Sequence, residues 1–297
     1  MKNKGEVKVS VLMTTYNHDK YITDSINSVL MQKVDFNYEI VIGEDCSTDN
    51  TRAILLQFKD QYPEKIKLFL HEKNVGMHVN FECIFNACRG DYIAVLEGDD
   101  YWTSDNKLQK QVDLFESNFE VVECFHKVKT VYEHDHKKSH IFPDFLKRNV
   151  FYLNDVISDF FIPTLSIMFK KSAINTLPKC FYDVKNPDWL IHILCAEKGN
   201  IVYIDEVMGV YRVHAGGVWS GITRVKVLEN TIKSAHVVNR YLHFKYETLF
   251  KRRISGWHHE AGIILFRELK ILKAARHYIS FIKLRIILLK RHKLNRF

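Results

Sequence analysis

The feature that most constrains the fold is an alternation, over the first hundred residues, between short, almost wholly apolar segments and segments with helical periodicity. The apolar segments predict strands at residues 7–14, 38–43, 66–70 and 92–96. Between the first two strands, Ile22, Ile26 and Val29 recur at helix spacing. A strand that is apolar on both faces needs cover on both faces, whereas a strand with one wet face alternates apolar and polar residues. The pattern therefore predicts an α/β fold in which helices sandwich a mostly parallel sheet.

The pattern becomes less regular beyond about residue 121. Residues 132–149 are polar and include Pro143, which favours an excursion or loop. Further on, the sequence predicts strands at 165–169, 201–204 and 208–213, a helix over about 187–198, and helices after Ile222. We therefore expect a sheet-containing domain at residues 1–220 and a helical C-terminal region at 221–297.

Charge is distributed unevenly along the 297 residues. Lys and Arg number 43 and Asp and Glu 35, but nine of the basic residues lie between 270 and 297, and no acidic residue follows Glu268. Without that segment the chain would be close to neutral. The excess of positive charge thus lies in one segment. This argues against a protein that binds nucleic acid across its whole surface.

The basic segment itself has helical periodicity. Its apolar residues follow a four-three spacing through Ala275, Ile279, Ile282, Ile286 and Leu289, with Ala274, Tyr278, Phe281 and Leu288 beside them. Arg276, Lys283 and Lys290 recur every seven residues elsewhere on the helix. The sequence predicts a basic amphipathic helix, whose apolar side is open to three interpretations. It docks on its own domain, it pairs with a second subunit in a homo-oligomer, or it lies on an anionic membrane surface.

Three further observations bear on the location of the protein. The six cysteines form no C-x-x-C pair, which argues against a disulfide framework and a structural zinc site. The first twenty residues have only a short apolar run, and the apolar stretch at 279–289 is interrupted by Lys283 and Arg285. We therefore expect neither a signal peptide nor a membrane span. The prediction is a cytoplasmic protein, with residues 270–297 in contact with the inner membrane face.

Polar residues directly follow three of the predicted strands, at 14–17, 44–49 and 97–100. In a parallel sheet the carboxyl ends of the strands meet at one edge, where ligands bind. Glu97 and Asp99 point the same way in extended backbone, and Asp100 adds a third carboxylate. Such carboxylates repel one another unless a cation lies between them, and their oxygens suit Mg²⁺ or Mn²⁺. A solvated acidic turn is the alternative that this motif alone leaves open.

Five motifs in this order resemble those of glycosyltransferase family 2, whose members are inverting enzymes with the GT-A fold. They are VSVLMTTYNHDKYI, EIVIGEDCSTDNT, GDYIAVLEGDDYWTSDNKLQKQV, NPDWL and YRVHAGGVWS, and they extend over roughly residues 7–220. The resemblance implies that residues 1–220 are a nucleotide-sugar-binding catalytic domain with Mn²⁺ or Mg²⁺ as cofactor. The donor that it implies is a nucleotide-sugar, expected to be a UDP-sugar, and the acceptor is a glycan or lipid-linked glycan.

The resemblance also implies roles for residues at the strand ends. Thr14, Tyr16 and Asp45 would hold the nucleoside, with Tyr16 stacked on the base; the alternative for Tyr16 is a partly buried loop aromatic. Family members have Asp-x-Asp where this chain has Glu97-Gly98-Asp99. Asp99 is therefore the implied metal ligand, while Glu97 and its neighbour Asp100 are expected to contact the donor.

Three later residues complete the implied site. Asp188 matches the family's catalytic base, which takes the proton from the acceptor hydroxyl; its alternative role is the N-cap of the following helix. Arg212 and His214 are expected over the donor diphosphate, where Arg212 would neutralise phosphate charge and His214 would bind the metal or the diphosphate. The alternative for His214 is a structural histidine.

Three rival classes of protein remain. A sugar-nucleotide pyrophosphorylase normally carries a glycine-rich basic loop after its first strand, where this chain has Thr-Thr-Tyr-Asn-His. A glycoside hydrolase uses paired carboxylates but has no use for nucleoside-binding loops. A non-enzymatic protein that binds through the basic segment would have no affinity for nucleotides.

Overall fold

In a computed structural model of the chain, residues 6–133, 137–217 and 222–294 are described, with their side chains up to residue 290. Residues 218–220, the last part of the fifth motif, and the end of the basic segment lie outside the described residues.

Ten strands in these ranges form one sheet. They are β1 (Val7–Thr15), β2 (Asn37–Glu44), β3 (Ile66–Leu70), β4 (Tyr92–Glu97), β5 (Tyr101–Trp102), β6 (Val121–Tyr132), β7 (His140–Phe142), β8 (Val150–Phe151), β9 (Met168–Lys170) and β10 (Asn200–Val213). The main path runs in the order β3-β2-β1-β4-β9-β6-β10-β5, while β7 pairs with β6 and β8 with β10. Strands β3, β2, β1 and β4 are parallel, as are β6 and β10, and β9 is antiparallel to β4 and β6. The predicted mostly parallel sheet is confirmed.

Nine α-helices occur in the described part of the chain. They are α1 (Ile22–Leu30), α2 (Thr51–Gln61), α3 (Met77–Ala87), α4 (Lys107–Ser117), α5 (Leu153–Ser158), α6 (Pro187–Ala196), α7 (Arg224–Tyr241), α8 (Glu247–Arg267) and α9 (Ile271–Leu294).

The central strand β1 is buried on both faces, as its nearly continuous apolar sequence predicts. Val9 and Val11 lie in the same hydrophobic core as Ile22 and Ile26 of α1. Leu12, which points to the opposite face, is also fully buried. Because β1 is covered on both sides, its carboxyl end is the part of the strand that can meet a ligand.

The less regular hydrophobic pattern after residue 121 includes a long strand inside the sheet, β6, which the sequence analysis did not predict. Its polar residues do not face solvent: Glu123 is fully buried, and its Oε1 lies 2.6 Å from Nδ1 of His192 on α6. A buried carboxylate with an imidazole partner is tolerated inside a sheet, although it breaks the apolar pattern. The predicted loop at 132–149 also contains the short strand β7, which extends the sheet beside β6.

Two other predicted strands differ from the structure. Residues 165–169 form part of a 3₁₀ turn at Thr164–Ser166 and then β9. The strands predicted at 201–204 and 208–213 are one strand, β10, whose register against β6 shifts between Ile204 and Val207. The polar residues between them belong to this irregularity and do not form a turn.

The chain groups into two compact units, each assembled from discontinuous segments. The first comprises Met1–Tyr152, Phe161–Leu177 and Ile191–Gly216, and it contains the whole sheet. The second comprises Leu153–Phe160, Pro178–Leu190 and Gly217–Phe297. The division at residue 220 into a catalytic domain and a helical region stays a prediction.

The second unit has an aromatic core of its own. The Trp189 ring lies 5.1 Å from Phe160, 6.1 Å from Phe250 and 6.2 Å from Trp257. Its indole N–H donates to the carbonyl oxygen of Val156 over 2.7 Å. The start of α6 is therefore packed firmly against α5 and α8.

Helix α9 packs on α8 through only part of its apolar side. Ala274 is buried, Tyr278 lies against Gly262, and the ring of Phe281 stacks on His259 with centroids 4.7 Å apart. The predicted four-three stripe remains exposed at Ile279, Ile282, Ile286 and Leu289. Among the described helices, none combines the length and the apolar character needed to cross a bilayer.

Candidate active site

Two acidic segments flank the carboxyl end of β1. Because β1 lies between β2 and β4, Thr14 is in register with Gly43 on one side and Glu97 on the other. The carbonyl oxygen of Thr14 accepts the Gly98 N–H over 2.9 Å, and that of Thr15 accepts the Asp45 N–H over 3.1 Å. The predicted convergence of three strand-end loops on one edge of the sheet is confirmed.

At the end of β4, Asp99 faces two histidines. Its Oδ2 accepts a hydrogen bond from Nε2 of His214 over 3.0 Å, and Nε2 of His18 lies 3.7 Å from the same oxygen. One ligand atom from each of the three residues lies within 4.8 Å of the others. In residues 6–133, 137–217 and 222–294, this is the one group of three or more His, Cys, Asp or Glu side chains close enough to share a cation.

The protonation states of Asp99 and His18 suit cation binding. Burial alone would raise the pKa of the Asp99 carboxyl, but the hydrogen bond from His214 and the adjacent His18 ring outweigh it, and the pKa is lowered below the usual 3.8. Burial lowers the pKa of His18 below the usual 6.5, against the attraction of Asp99. At neutral pH Asp99 is therefore a carboxylate and His18 a neutral imidazole, the forms in which both bind metal ions.

The loop after β1 places His18, and it is tied to the loop after β2. Asn17 adopts a left-handed conformation with a φ of 55°, which Asn tolerates better than most residues. Its backbone N–H donates to Ser47 Oγ over 2.9 Å, and the His18 N–H donates to Thr51 Oγ1 over 2.8 Å. The Asp19 N–H donates to the Asp49 carboxylate over 3.0 Å. The position of His18 is therefore set by backbone and loop contacts.

Asp45, the residue after β2 that is predicted to hold the nucleoside, is buried and binds the segment between β3 and α3. Its Oδ1 accepts the Val75 N–H over 2.7 Å and its Oδ2 the Gly76 N–H over 3.0 Å. The side chain of Asn74 donates to its carbonyl oxygen over 3.1 Å. Asp45 thus holds the segment that leads into α3, and it lies on the opposite side of β1 from Asp99.

Arg212 joins β10 to the acidic end of β4. Its backbone N–H donates to Asp100 Oδ1 over 2.8 Å, and its guanidinium donates to the Asp99 carbonyl oxygen over 3.0 Å and to the Asp24 carboxylate. The ring of Tyr101 lies 4.4 Å from the guanidinium carbon. Burial, together with the charges of Asp99 and Glu97, raises the pKa of Asp100 well above the usual 3.8. Arg212 and Asp100 therefore belong to one hydrogen-bonded group with Asp99.

The remaining predicted residues at this edge have different degrees of exposure. Thr14 is half-buried at the end of β1, and Glu97 is half-buried as the last residue of β4. Tyr16 is 42% exposed, so its ring has a face that a planar ligand can reach. The partly buried alternative also fits this exposure, so the stacking role of Tyr16 stays a prediction.

Asp188 lies in the second unit, within the first turn of α6. The helix begins at Pro187, so the N-cap is Asn186, and Asp188 lies two positions beyond it. The alternative role of Asp188 as the N-cap is therefore wrong. An acidic side chain in the first turn is favoured by the helix dipole. Asp188 and Asp99 belong to different units, and the role of Asp188 as catalytic base stays a prediction.

The sequence analysis did not assign a role to two residues beside His214. His18 belongs to the metal-capable group, and the ring of Tyr21 lies 4.6 Å from that of His214. The Tyr21 hydroxyl donates to Glu133 over 2.6 Å, and burial with this hydrogen bond raises the pKa of Tyr21 to about 12. Their position in the sequence could have indicated a role, because both residues follow the carboxyl end of the parallel strand β1, where ligands bind.

Comparison with known proteins supplies a family. The family model described as Glycosyl transferase family 2 matches residues 10–177, more than half of the chain. An uncharacterized protein of Mycobacterium tuberculosis is 34% identical over 212 residues, which cover 71% of this chain and 60% of that protein. The UDP-Glc:alpha-D-GlcNAc-diphosphoundecaprenol beta-1,3-glucosyltransferase WfgD of Escherichia coli is 36% identical over 110 residues, 37% of this chain and 42% of that enzyme. The chain thus spans about three fifths of the length of its mycobacterial relative.

A solved structure shows the same fold. The mannosyltransferase PcManGT from Pyrobaculum calidifontis, in complex with GDP-Man and Mn²⁺, superposes with a TM-score of 0.62 at 15% identity. The superposition covers 98% of this chain and 81% of that one. The predicted GT-A architecture is confirmed.

Proposed function

Because the chain belongs to glycosyl transferase family 2, we propose that it is an inverting, cation-dependent glycosyltransferase. The substrates in this proposal are a nucleotide-sugar donor, specifically a UDP-sugar, and a hydroxyl group of a glycan or lipid-linked glycan. The observation that carries the proposal is the pairing of Asp99 with His214 beside the end of β1. The UDP-Glc in the name of the relative WfgD supports the choice of nucleotide.

The residues around Asp99 fit a divalent cation. Mn²⁺ binds both carboxylate oxygens and imidazole nitrogens, and Mg²⁺ binds carboxylate oxygens. Asp99 and His214 would hold the ion, and Glu97 and Asp100 would contact the donor beside it. When bound, Mn²⁺ or Mg²⁺ neutralises charge on the departing nucleoside diphosphate. The Mn²⁺ bound to the structural neighbour PcManGT supports a cation in this fold.

The chain's own side chains would bind and orient the donor. Tyr16 offers an exposed ring for stacking on the base, and Thr14 and Asp45 lie at the adjoining strand ends. Arg212 adds a guanidinium that can neutralise phosphate charge, while its bonds to Asp24 and Asp99 hold it in place. In this arrangement the nucleoside lies nearest β1 and β2 and the diphosphate nearest β4.

The transfer step needs a base on the acceptor side. The acceptor oxygen forms a bond to the anomeric carbon as the bond from that carbon to the diphosphate oxygen breaks, and the electron pair leaves with the nucleoside diphosphate. Asp188 would take the proton from the acceptor hydroxyl. Attack opposite the leaving group inverts the configuration at the anomeric carbon.

The proposal is tested by incubating the protein with a panel of nucleotide-sugars and Mn²⁺, and measuring the nucleoside diphosphate released. We expect UDP from at least one UDP-sugar and no release after chelation of the metal. Formation of a nucleotide-sugar from a nucleoside triphosphate and a sugar phosphate would instead identify a pyrophosphorylase. Absence of any nucleotide binding by calorimetry would favour the non-enzymatic protein.

The role of Asp188 has a separate test. The variant Asp188→Asn should bind UDP as the wild type does but turn over about 10²–10⁴-fold more slowly, because general base catalysis has this magnitude. The matched control is Asp183→Asn, which changes an exposed acid in the same unit. Full turnover by Asp188→Asn would exclude it as the base.

We also propose that α9 contacts an anionic membrane at the cytoplasmic face, where a lipid-linked acceptor would lie. The exposed stripe of Ile279, Ile282 and Ile286 has exposed basic neighbours at Lys283 and Arg285. Apolar burial and attraction to anionic lipid add together in such a helix. The charges therefore favour lipid over a second copy of this chain, whose α9 would bring like charges together.

Sedimentation with vesicles tests this surface. Ile282→Glu should reduce binding to phosphatidylglycerol vesicles by roughly tenfold, since it removes apolar burial and adds a repelled charge. The control Phe119→Glu adds the same charge at a residue that is 87% exposed in the first unit. Equal binding by both variants would exclude the stripe as a membrane contact, and a dimer that Ile282→Glu dissociates would identify a subunit interface.

A further inference from the structure

His18 is the member of the metal-capable group to which the proposed mechanism gives no role. Its Nε2 lies 3.7 Å from Asp99 Oδ2, too far for a direct hydrogen bond. Atoms bound to one cation at about 2.1 Å stand at most about 4.2 Å apart. Because the three ligand atoms already lie within 4.8 Å of one another, small side-chain movements would bring all of them onto one ion.

The other ring nitrogen of His18 is held by the protein. Its Nδ1 lies 3.2 Å from Thr15 Oγ1, at the end of β1. Metal-binding histidines commonly use their second nitrogen in this way, because the contact fixes the ring orientation and the tautomer. Here it turns Nε2 toward Asp99.

Gly98 permits this close arrangement. A Cβ atom at residue 98 would lie 2.6 Å from Thr15 Oγ1 and 2.9 Å from His18 Nδ1, closer than carbon can approach either atom. The glycine between the two acids of the Glu97-Gly98-Asp99 motif is therefore needed for His18 to sit beside Asp99.

The group is also reachable from solvent. The side chains of His18 and Asp99 are 15% and 18% exposed to solvent, and that of His214 is 5% exposed. A cation from solvent can therefore reach the ligand atoms of the group.

We infer that His18 is a third protein ligand of the cation, beside Asp99 and His214, and that this set selects Mn²⁺ or another first-row transition metal over Mg²⁺. The inference rests on the proposed function, which requires a cation at this position. Imidazole suits transition metals, whereas Mg²⁺ prefers carboxylate, phosphate and water oxygens. Two imidazoles among three protein ligands should therefore weaken Mg²⁺ binding relative to Mn²⁺ binding.

The experiment measures binding of the metal alone to the full chain, with no donor present. Unbound Mn²⁺ is followed by electron paramagnetic resonance during titration, and Mg²⁺ affinity is obtained from its competition with Mn²⁺. Two variants separate the nitrogens of the ring. In His18→Asn the amide stands near the position of Nδ1 and can keep the contact with Thr15, but no atom reaches the position of Nε2. In His18→Gln an amide oxygen can reach that position.

We expect the Mn²⁺ dissociation constant to rise about 10–100-fold in His18→Asn, with a change of less than about threefold for Mg²⁺. His18→Gln should recover part of the Mn²⁺ affinity and show a lower preference for Mn²⁺ over Mg²⁺, because its oxygen is a harder ligand than imidazole. The control His140→Ala removes an exposed histidine of β7 in the same unit and should change neither constant. Thermal unfolding of each variant shows that the comparison is made between folded proteins.

Wild-type Mn²⁺ affinity in a folded His18→Asn variant would overturn the inference and give His18 a structural role. Equal losses of Mn²⁺ and Mg²⁺ affinity would overturn the selectivity. The proposed function fails separately: loss of Mn²⁺ binding in His18→Asn, together with no sugar transfer by the wild type, would support the ligand set and contradict the glycosyltransferase.

Discussion

Two strands of the sheet end in acidic residues, and they use their carboxylates differently. At the end of β2, both oxygens of Asp45 accept backbone N–H groups, from Val75 and Gly76. At the end of β4, Asp99 accepts an imidazole N–H from His214 and faces the ring of His18. The first carboxylate holds a loop together, while the second stands among groups that can bind a cation with it.

The difference comes from what the rest of the chain brings to each strand end. The segment after β3 brings backbone amides to Asp45, and an amide N–H has no electron pair for a metal ion. The loop after β1 and the end of β10 bring imidazoles to Asp99, and imidazole nitrogen is a metal ligand. A strand-end acid is thus a candidate cation ligand only when its neighbours can also donate electron pairs.

The sharpest test of this comparison exchanges each acid for its amide. Asp99→Asn should reduce Mn²⁺ affinity and sugar transfer by at least about 100-fold, because it removes the one carboxylate of the ligand set. Asp45→Asn should leave Mn²⁺ affinity unchanged and lower the free energy of unfolding by about 1–3 kcal/mol, because its NH₂ group cannot accept a backbone N–H. Metal titration and thermal unfolding of both variants measure the two effects. Equal loss of Mn²⁺ affinity in the two variants would remove the distinction.

The first half of the sheet could be predicted from the sequence, because its strands β1, β2 and β4 are buried on both faces and the outer strand β3 is also mostly apolar. The segments that became β1, β2, β3 and β4 are short and almost wholly apolar, which is typical of strands in a sheet covered on both sides. Strand β6 was missed because Glu123 and His126 interrupt its apolar pattern, although both are fully buried. Whether such residues are buried depends on partners far away in the chain, such as His192 for Glu123.

The candidate site could be predicted in part for the same reason. Asp99 follows a strand and lies in a recognisable motif, so its position at the sheet edge was predictable. The role of His18 was not, because it depends on the fold bringing β1 and β4 side by side and on the loop contacts that set its ring. Asp45 had the same local signal as Asp99, and the two are distinguished by their partners: backbone N–H groups at Asp45 and imidazoles at Asp99.

The second prediction concerns a substitution next to Asp99 at the end of β4. Gly98→Ala would place a Cβ atom 2.6 Å from Thr15 Oγ1, so Thr15 and His18 must move. We expect a loss of about 1–3 kcal/mol in the free energy of unfolding, typical of overpacking, and a roughly tenfold weaker Mn²⁺ affinity. Gly256→Ala is the matched control, because no atom lies within 4 Å of its added Cβ and alanine favours the helix by about 1 kcal/mol. An unchanged Mn²⁺ affinity in Gly98→Ala would show that the ring of His18 does not matter to the ion.

The corresponding change at the Asp45 end is Gly76→Ala. Gly76 has φ 86° and ψ 157°, a conformation that is essentially restricted to glycine, while its added Cβ would meet no atom within 4 Å. The expected cost is therefore backbone strain alone, about 1–2 kcal/mol of stability, measured by denaturant unfolding. Mn²⁺ affinity should stay at the wild-type value. A loss of metal affinity here would mean that the two strand ends are coupled.

The smallest expected effect tests the contact that joins the loop after β2 to the loop after β1, which carries His18. Asp49 accepts the N–H groups of Thr51 and Asp19, and although burial alone would raise its pKa, these bonds outweigh burial and lower that pKa below the usual 3.8. Its carboxylate therefore stabilises the fold fully above pH 3.8, and this contribution is lost as the pH falls through the lowered value. Asp49→Asn should lower stability at pH 7 by less than about 1 kcal/mol, and the difference from the wild type should shrink below pH 3.8. The control Asp60→Asn changes an exposed acid of α2, and unfolding by urea at several pH values gives the comparison. A difference that persists undiminished in acid would mean that the charge of Asp49 does not stabilise the loop that carries His18.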